Sequence, residues 1–181
     1  MLDICCSLYK HGDTVNGYNA PYKYGVAKRL KQDYSQYLKV WETSSEWVLD
    51  DFTNRVGLLF ESNSQLIFAT PPSRTQIFTQ KIRQRLRSSF PMGVDVSDCF
   101  SKSEFFSAGS TTIELTNQQL RTFFNLNREC FEMNLPPGVN KVLLADDVYS
   151  LGNTLKAMCT LIHDIKPDIE IITAVILKTE L

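Results

Sequence analysis

The stretch Lys141-Val142-Leu143-Leu144-Ala145-Asp146-Asp147 narrows the fold more than any other part of the chain. It is short, apolar and bounded by charge, and it reads as a strand ending at Ala145. The chain around it repeats the theme. Gln65–Thr70 reads as a buried strand stopped by Pro71-Pro72, which cannot continue a ladder. A helix is predicted over Arg74–Ser89, with Phe78, Ile82 and Leu86 inward and Lys81, Arg83, Arg85 and Arg87 mostly outward. Gly93–Phe100 is a strand candidate, and 101–114 reads as a long loop around Phe105-Phe106. Asn117–Phe131 is predicted as one helix packing through Leu120, Phe123, Phe124 and Phe131, ended by Pro136-Pro137-Gly138. A last helix runs from Gly152 or Asn153 to His163 on a stripe of Leu155, Met158, Cys159 and Ile162. Pro167 breaks it, and Ile169–Leu177 is the final strand. Strands alternating with helices from residue 65 onward imply an α/β fold, a parallel sheet with helices on both faces. Upstream, helices are predicted over Tyr24–Leu38 and Glu46–Phe60, the second on Val48, Phe52, Val56, Leu59 and Phe60.

Composition limits what such a fold serves. A chain of 181 residues with 43% apolar and 22% charged residues supports one globular domain with a sizeable core. Nineteen basic residues against 20 acidic ones leave a net charge of -1, so a strongly basic domain that coats nucleic acid is not expected, and only a local basic patch stays open. The run Lys81, Arg83, Arg85, Arg87 alternates by two and lacks interleaved aromatics, which makes it a solvated helix face; nucleic acid is not an expected partner. No apolar run approaches the ~20 residues of a membrane span, and Asp3, Lys10, His11 and Asp13 interrupt any signal-like core. A cytoplasmic protein with no membrane partner is expected. Five cysteines without a C-x-x-C pair, and only two histidines, give no structural zinc site. No protein-held metal site is expected.

The chemistry sits where the apolar strand meets its loop. Asp146 and Asp147 arrive at the carboxyl end of a strand, where open α/β sheets bind ligands. Ser150-Leu151-Gly152-Asn153-Thr154 then leads straight into an amphipathic helix. Backbone N–H groups of such a turn, with the helix N-terminus, cradle a phosphate, and the Ser150 and Thr154 hydroxyls add donors. Strand geometry would point the two carboxylates oppositely, whereas a turn lets both accept hydrogen bonds from a ribose diol. Phosphate in the loop and diol on the aspartates describe a ribose 5-phosphate. The spacing is neither a P-loop nor a dinucleotide fingerprint.

In this order, Asp146, Asp147, Val148, Tyr149, Ser150, Gly152 and Thr154 resemble the ribose-phosphate signature of type I phosphoribosyltransferases, most closely the ComF-like, competence-associated group. Leu151 departs from the hydroxyl residue usual at its position. The resemblance implies a phosphoribosyltransferase core over 61–181 and a variable N-terminal hood over 1–60. It implies a transferase of nucleotide metabolism that binds phosphoribosyl diphosphate, with magnesium arriving on the ligand, and moves the phosphoribosyl group to an unidentified base or amine. Asp146 and Asp147 would hold the ribose, and 150–154 its phosphate. The turn Thr70-Pro71-Pro72-Ser73-Arg74 would hold the diphosphate through Thr70, Ser73 and Arg74. Lys102 would be the cation of a loop that closes over it. Arg121, on the next helix, is a further candidate for the site. The alternatives are a non-catalytic phosphoribosyl-ligand sensor and a structural subunit of a multiprotein system with a protein partner. The family's pairing habit and the aromatic load imply a homodimer.

Overall fold

The computed structural model describes residues 5–10, 14–15, 18–19, 49–60, 65–72, 77–103, 113–149 and 151–178. The expected helix over Tyr24–Leu38 lies outside them. Strands β1 (Cys5–Lys10), β4 (Ile67–Ala69), β5 (Val94–Asp95), β8 (Lys141–Tyr149) and β9 (Glu170–Lys178) form a five-stranded sheet in the order β1-β9-β8-β4-β5. Every pairing in it is parallel. Short antiparallel pairs stand apart from it, β2 (Thr14–Val15) with β3 (Tyr18–Asn19), and β6 (Phe100–Lys102) with β7 (Phe124–Leu126). The helices are α1 (49–58), α2 (Ile77–Ser89), α3 (Asn117–Phe123), α4 (Arg128–Asn134) and α5 (Asn153–Ile165).

Both faces of the sheet are covered. On one, Leu49, Phe52 and Val56 of α1 and Ile82 and Leu86 of α2 pack on Phe68, Leu143, Ala145 and Ile172. On the other, Leu155, Met158, Cys159 and Ile162 of α5 pack on Ile67, Ala69, Val142 and Leu144. Strand alternation assigns Phe68 and Ile67, or Leu143 and Leu144, to opposite faces, and both members of each pair are fully buried. A strand wet on neither side needs no polar alternation, which is why the Val142–Ala145 run is continuous. Burying one such side chain contributes about 1.5–3 kcal/mol. The expected α/β fold with helices on both faces is therefore present. Two segments of residues 1–60 take part in it, since β1 pairs with β9 and α1 lies in the core cluster.

Several elements differ from their sequence-based boundaries. The strand expected over Gly93–Phe100 is divided. Val96 N–H donates the last ladder bond to Phe68 O, at 2.9 Å. Ser97 N–H then turns onto the Asp95 carboxylate at 2.9 Å, and a 3-10 turn over Ser97–Cys99 redirects the chain into β6. Residues 101 and 102, expected in a loop, thus belong to a strand paired with β7, while 104–112 lie outside the described residues. The single helix expected over Asn117–Phe131 is also divided. Thr116 and Gln119 form a capping box that starts α3. Phe124 and Leu126 then alternate inward around exposed Asn125, and the Asn127 side chain caps α4. Leu120, Phe124 and Phe131 face inward under either assignment, whereas Leu126, buried two residues after Phe124, fits only the strand.

Cys99 and Cys130 form a disulfide, with Cα atoms 5.5 Å apart, that ties the 3-10 turn to α4. Sequence spacing did not pair these residues. For a sequence separation of 31, loop-closure entropy assigns such a link roughly 3–4 kcal/mol. Cys159 is buried and its thiol is pushed up to about 12 by desolvation, which makes it inert. Among the described residues no helix is long and apolar enough to cross a membrane.

Candidate functional site

The order β9-β8-β4-β5 reverses direction at β4. Its following helix α2 covers one face and pairs the chain forward to β5, whereas α5, after β8, covers the opposite face on the way to β9. Adjacent strands whose connections leave to opposite faces open a crevice at their carboxyl ends. Phe68 aligns with Leu143 and Ala69 with Leu144. In this register Thr70, just past β4, comes level with Ala145, one residue before Asp146, at this switch point.

The structure corrects the expected turn at the acidic pair. The register of β8 with β9 keeps one offset from Lys141↔Glu170 through Asp146↔Val175 to Tyr149↔Lys178, and both Asp146 and Asp147 lie within the strand. Consecutive strand positions alternate, so Asp146 shares its face with Leu144 and Asp147 with Ala145. Both are buried, at 9% and 6% exposure. Asp147 N–H donates to Asp146 Oδ1 at 2.8 Å. The two carboxylates point to opposite faces of β8 rather than converging from one turn.

Gly152 starts α5 in the left-handed region, with φ 72°. A Cβ there would also lie 2.6 Å from the Tyr149 ring, so glycine meets both a backbone and a space requirement. Its carbonyl accepts the first helical bond, from Lys156 N–H at 2.8 Å. The opening N–H groups of α5 follow directly on the strand that carries the aspartates. Leu151 and Thr154 are partly buried; Ser150, Ser73 and Arg74 lie outside the described residues.

Four of the expected site residues have partners within the protein. The Asn153 side chain, 3% exposed, accepts from Leu115 N–H at 2.9 Å and donates to Ile113 O at 2.9 Å. It clamps residues 113–115 to the first turn of α5, reinforced by a Lys156–Glu114 ion pair at 2.7 Å. Thr70 N–H donates to Ser97 Oγ at 2.9 Å, and the Thr70 hydroxyl turns to the same atom at 3.2 Å. Lys102 is a β6 residue opposite Phe124, with its ammonium 5.8 Å from that ring's centroid. Arg121 makes a bidentate pair with Asp164 near the far end of α5, at 2.9 and 2.8 Å, and does not face the crevice.

Behind Thr70 lies a charged support that sequence reasoning missed. Ser97 bonds Asp95 through both its N–H and its hydroxyl. Asp95 in turn accepts from Arg83 Nε and from Arg87 Nε, the latter at 2.6 Å. Burial pushes the Asp95 carboxyl up, but the bonds from Arg83 and Ser97 outweigh it and hold the group below its ordinary value. Arg83 also binds Asp98, and Arg85 pairs with Asp50 at 2.8 Å. The helix face that looked solvated is thus partly an ion-pair surface. The Asp95-Val96-Ser97 spacing, typical of a turn in which a carboxylate caps the N–H two residues on, was the available signal.

Among the described residues no group of three or more His, Cys, Asp or Glu side chains converges to hold a metal. The crevice offers two carboxylates as hydrogen-bond acceptors and one helix start as an anion donor set. No protein-family model matches the chain, and no curated protein is significantly similar to it.

Proposed function

We propose that this chain is a phosphoribosyltransferase-like protein that binds phosphoribosyl diphosphate and transfers its phosphoribosyl group to a base or amine. The observation that carries this reading is the position of Asp146, Asp147 and the Gly152-started α5 on one connection at the sheet's switch point. Because Asp146 and Asp147 lie on opposite faces of β8, one of the two carboxylates accepts from the ribose hydroxyls while the other stays within electrostatic range, and the α5 N–H groups take the 5-phosphate. Asp146 and Asp147 also favour the positive charge that develops on the sugar as diphosphate leaves. Magnesium suits this donor set, because it binds through one or two carboxylates and ligand oxygens rather than a protein cage. A cytoplasmic setting, where nucleotide precursors are made, goes with this reading.

Calorimetric titration with phosphoribosyl diphosphate and magnesium tests it. Saturable binding is expected, weaker for ribose 5-phosphate and lost in the Asp146→Asn, Asp147→Asn double variant. Equal binding by that variant and the parent protein would end the assignment.

Binding without turnover is a second reading, favoured by Leu151 at the hydroxyl position and by Lys102 held on β6 over Phe124. Diphosphate release during a screen of bases and amines separates the two. Saturable binding with no release selects the sensor.

A further inference from the structure

The disulfide and the mouth of the crevice share one turn. Ser97, Asp98 and Cys99 are consecutive in the 3-10 segment, closed by Phe100 N–H on Ser97 O. Ser97 holds Thr70 at the end of β4 through two hydrogen bonds. Cys99 is bonded to Cys130, which lies in the first turn of α4. Arg83 and Asp95 fix the turn from the α2 side, and the disulfide fixes it covalently from the α4 side. A turn of three residues has little stability of its own, so its position depends on these two anchors.

We infer that the Cys99–Cys130 disulfide is a redox-controlled anchor that sets the position of Thr70 at the crevice. Cys130 is the more accessible sulfur, since Cys99 is buried and Cys130 only partly so. A dithiol reductant attacks there as thiolate. The S–S bond breaks, Cys99 leaves as a thiolate and takes a proton, and a mixed disulfide forms on Cys130. The second thiol of the reductant then displaces Cys130. Two electrons and two protons pass to the protein, and the reductant becomes a disulfide. In a reducing compartment a disulfide takes on this transient character. In the reduced state the turn keeps the Arg83–Asp95 anchor and the Asn127 N–H to Cys99 O bond, at 2.8 Å, but loses its covalent tie. The consequence for Thr70 stands on the geometry alone; the consequence for ligand affinity rests on the proposed ribose-phosphate reading.

Amide hydrogen exchange of the full chain, oxidised and after dithiothreitol, tests the inference at Thr70 directly. The Thr70 amide should exchange about tenfold faster on reduction, the size of one lost hydrogen bond, beyond any change at Ala174 in the middle of β9. A Cys130→Ser variant should exchange at the fast rate with or without the reductant. Equal acceleration at Thr70 and Ala174 would reduce the disulfide to a general staple and overturn the inference, as would an unchanged Thr70. If the variant does not fold, the comparison of the two states of the parent chain decides alone. Titration of both states with phosphoribosyl diphosphate and magnesium should show weaker binding after reduction. Binding in neither state would count against the ligand reading, while Thr70 exchange still decides the anchor.

Discussion

Ser97 Oγ accepts the Thr70 N–H at 2.9 Å and thereby takes the place of a ladder acceptor that β5, ending at Asp95, no longer supplies. A side chain finishes what the sheet began, at the strand end that borders the crevice. The same hydroxyl bonds the Asp95 carboxylate, so the Arg83–Asp95 pair and the end of β4 are joined through one serine.

Ser97→Ala removes the acceptor and strands a buried N–H. The expected loss is about 1–3 kcal/mol, the cost of an unsatisfied buried donor. Urea unfolding of the variant and the parent chain measures it. An unchanged midpoint at unchanged slope would show that the Thr70 bond adds nothing.

Acid should weaken the protein through Asp95. Its carboxyl lies below its ordinary value in the folded state, so the unfolded chain takes up this proton first as pH falls. The associated stability is complete above the unfolded value of about 4 and is lost as pH drops through the folded one. Asp98, lowered chiefly by its bond from Arg83, acts in the same direction but is largely exposed and screened. Unfolding midpoints from neutral pH to strong acid should fall less steeply for Asp95→Asn, which begins from a lower neutral value. Parallel curves would exclude Asp95 as a source of the acid sensitivity.

Gly152→Ala meets two obstacles, the left-handed φ and the Tyr149 ring. The φ requirement alone costs about 1–2 kcal/mol, and the ring must move as well. In a Tyr149→Ala background only the first cost should persist. A double-mutant cycle on thermal stability separates them; a coupling of zero would mean that Tyr149 yields freely.

Asn153→Ala should release residues 113–115 from α5. One buried and one partly buried hydrogen bond are lost, and a cost of about 1–3 kcal/mol is expected. Asn153→Asp keeps the acceptor for Leu115 N–H but not the donor for Ile113 O. Leu115 should therefore stay protected from hydrogen exchange in the aspartate variant and lose protection in the alanine one. Equal exchange in both would mean that the clamp does not hold Leu115.

The amino-acid sequence determined the layer architecture and the position of the acidic pair. Val142–Ala145 is apolar without alternation, so it needed cover on both faces. Leu155, Met158, Cys159 and Ile162 carry the helical period that supplies one of the covers. Gly152 marked the helix start because few other residues adopt its conformation. These are local properties, and local chemistry suffices to express them. Tertiary structure alone decided the rest. Whether β8 ends at Ala145 or continues through Asp147 depended on β9 offering partners as far as Lys178. Whether 117–131 is one helix or a helix, a strand and a helix depended on β6 lying alongside β7, where Leu126 is buried on the same side as Phe124 although a helix would turn it away. The commitment of Thr70 to Ser97, of Asn153 to residues 113–115 and of Cys99 to Cys130 joins positions 27, 38 and 31 or more residues apart. Such contacts exist only once the sheet has set its order, because a side chain's partner is chosen by proximity in space and not by its neighbours in the chain.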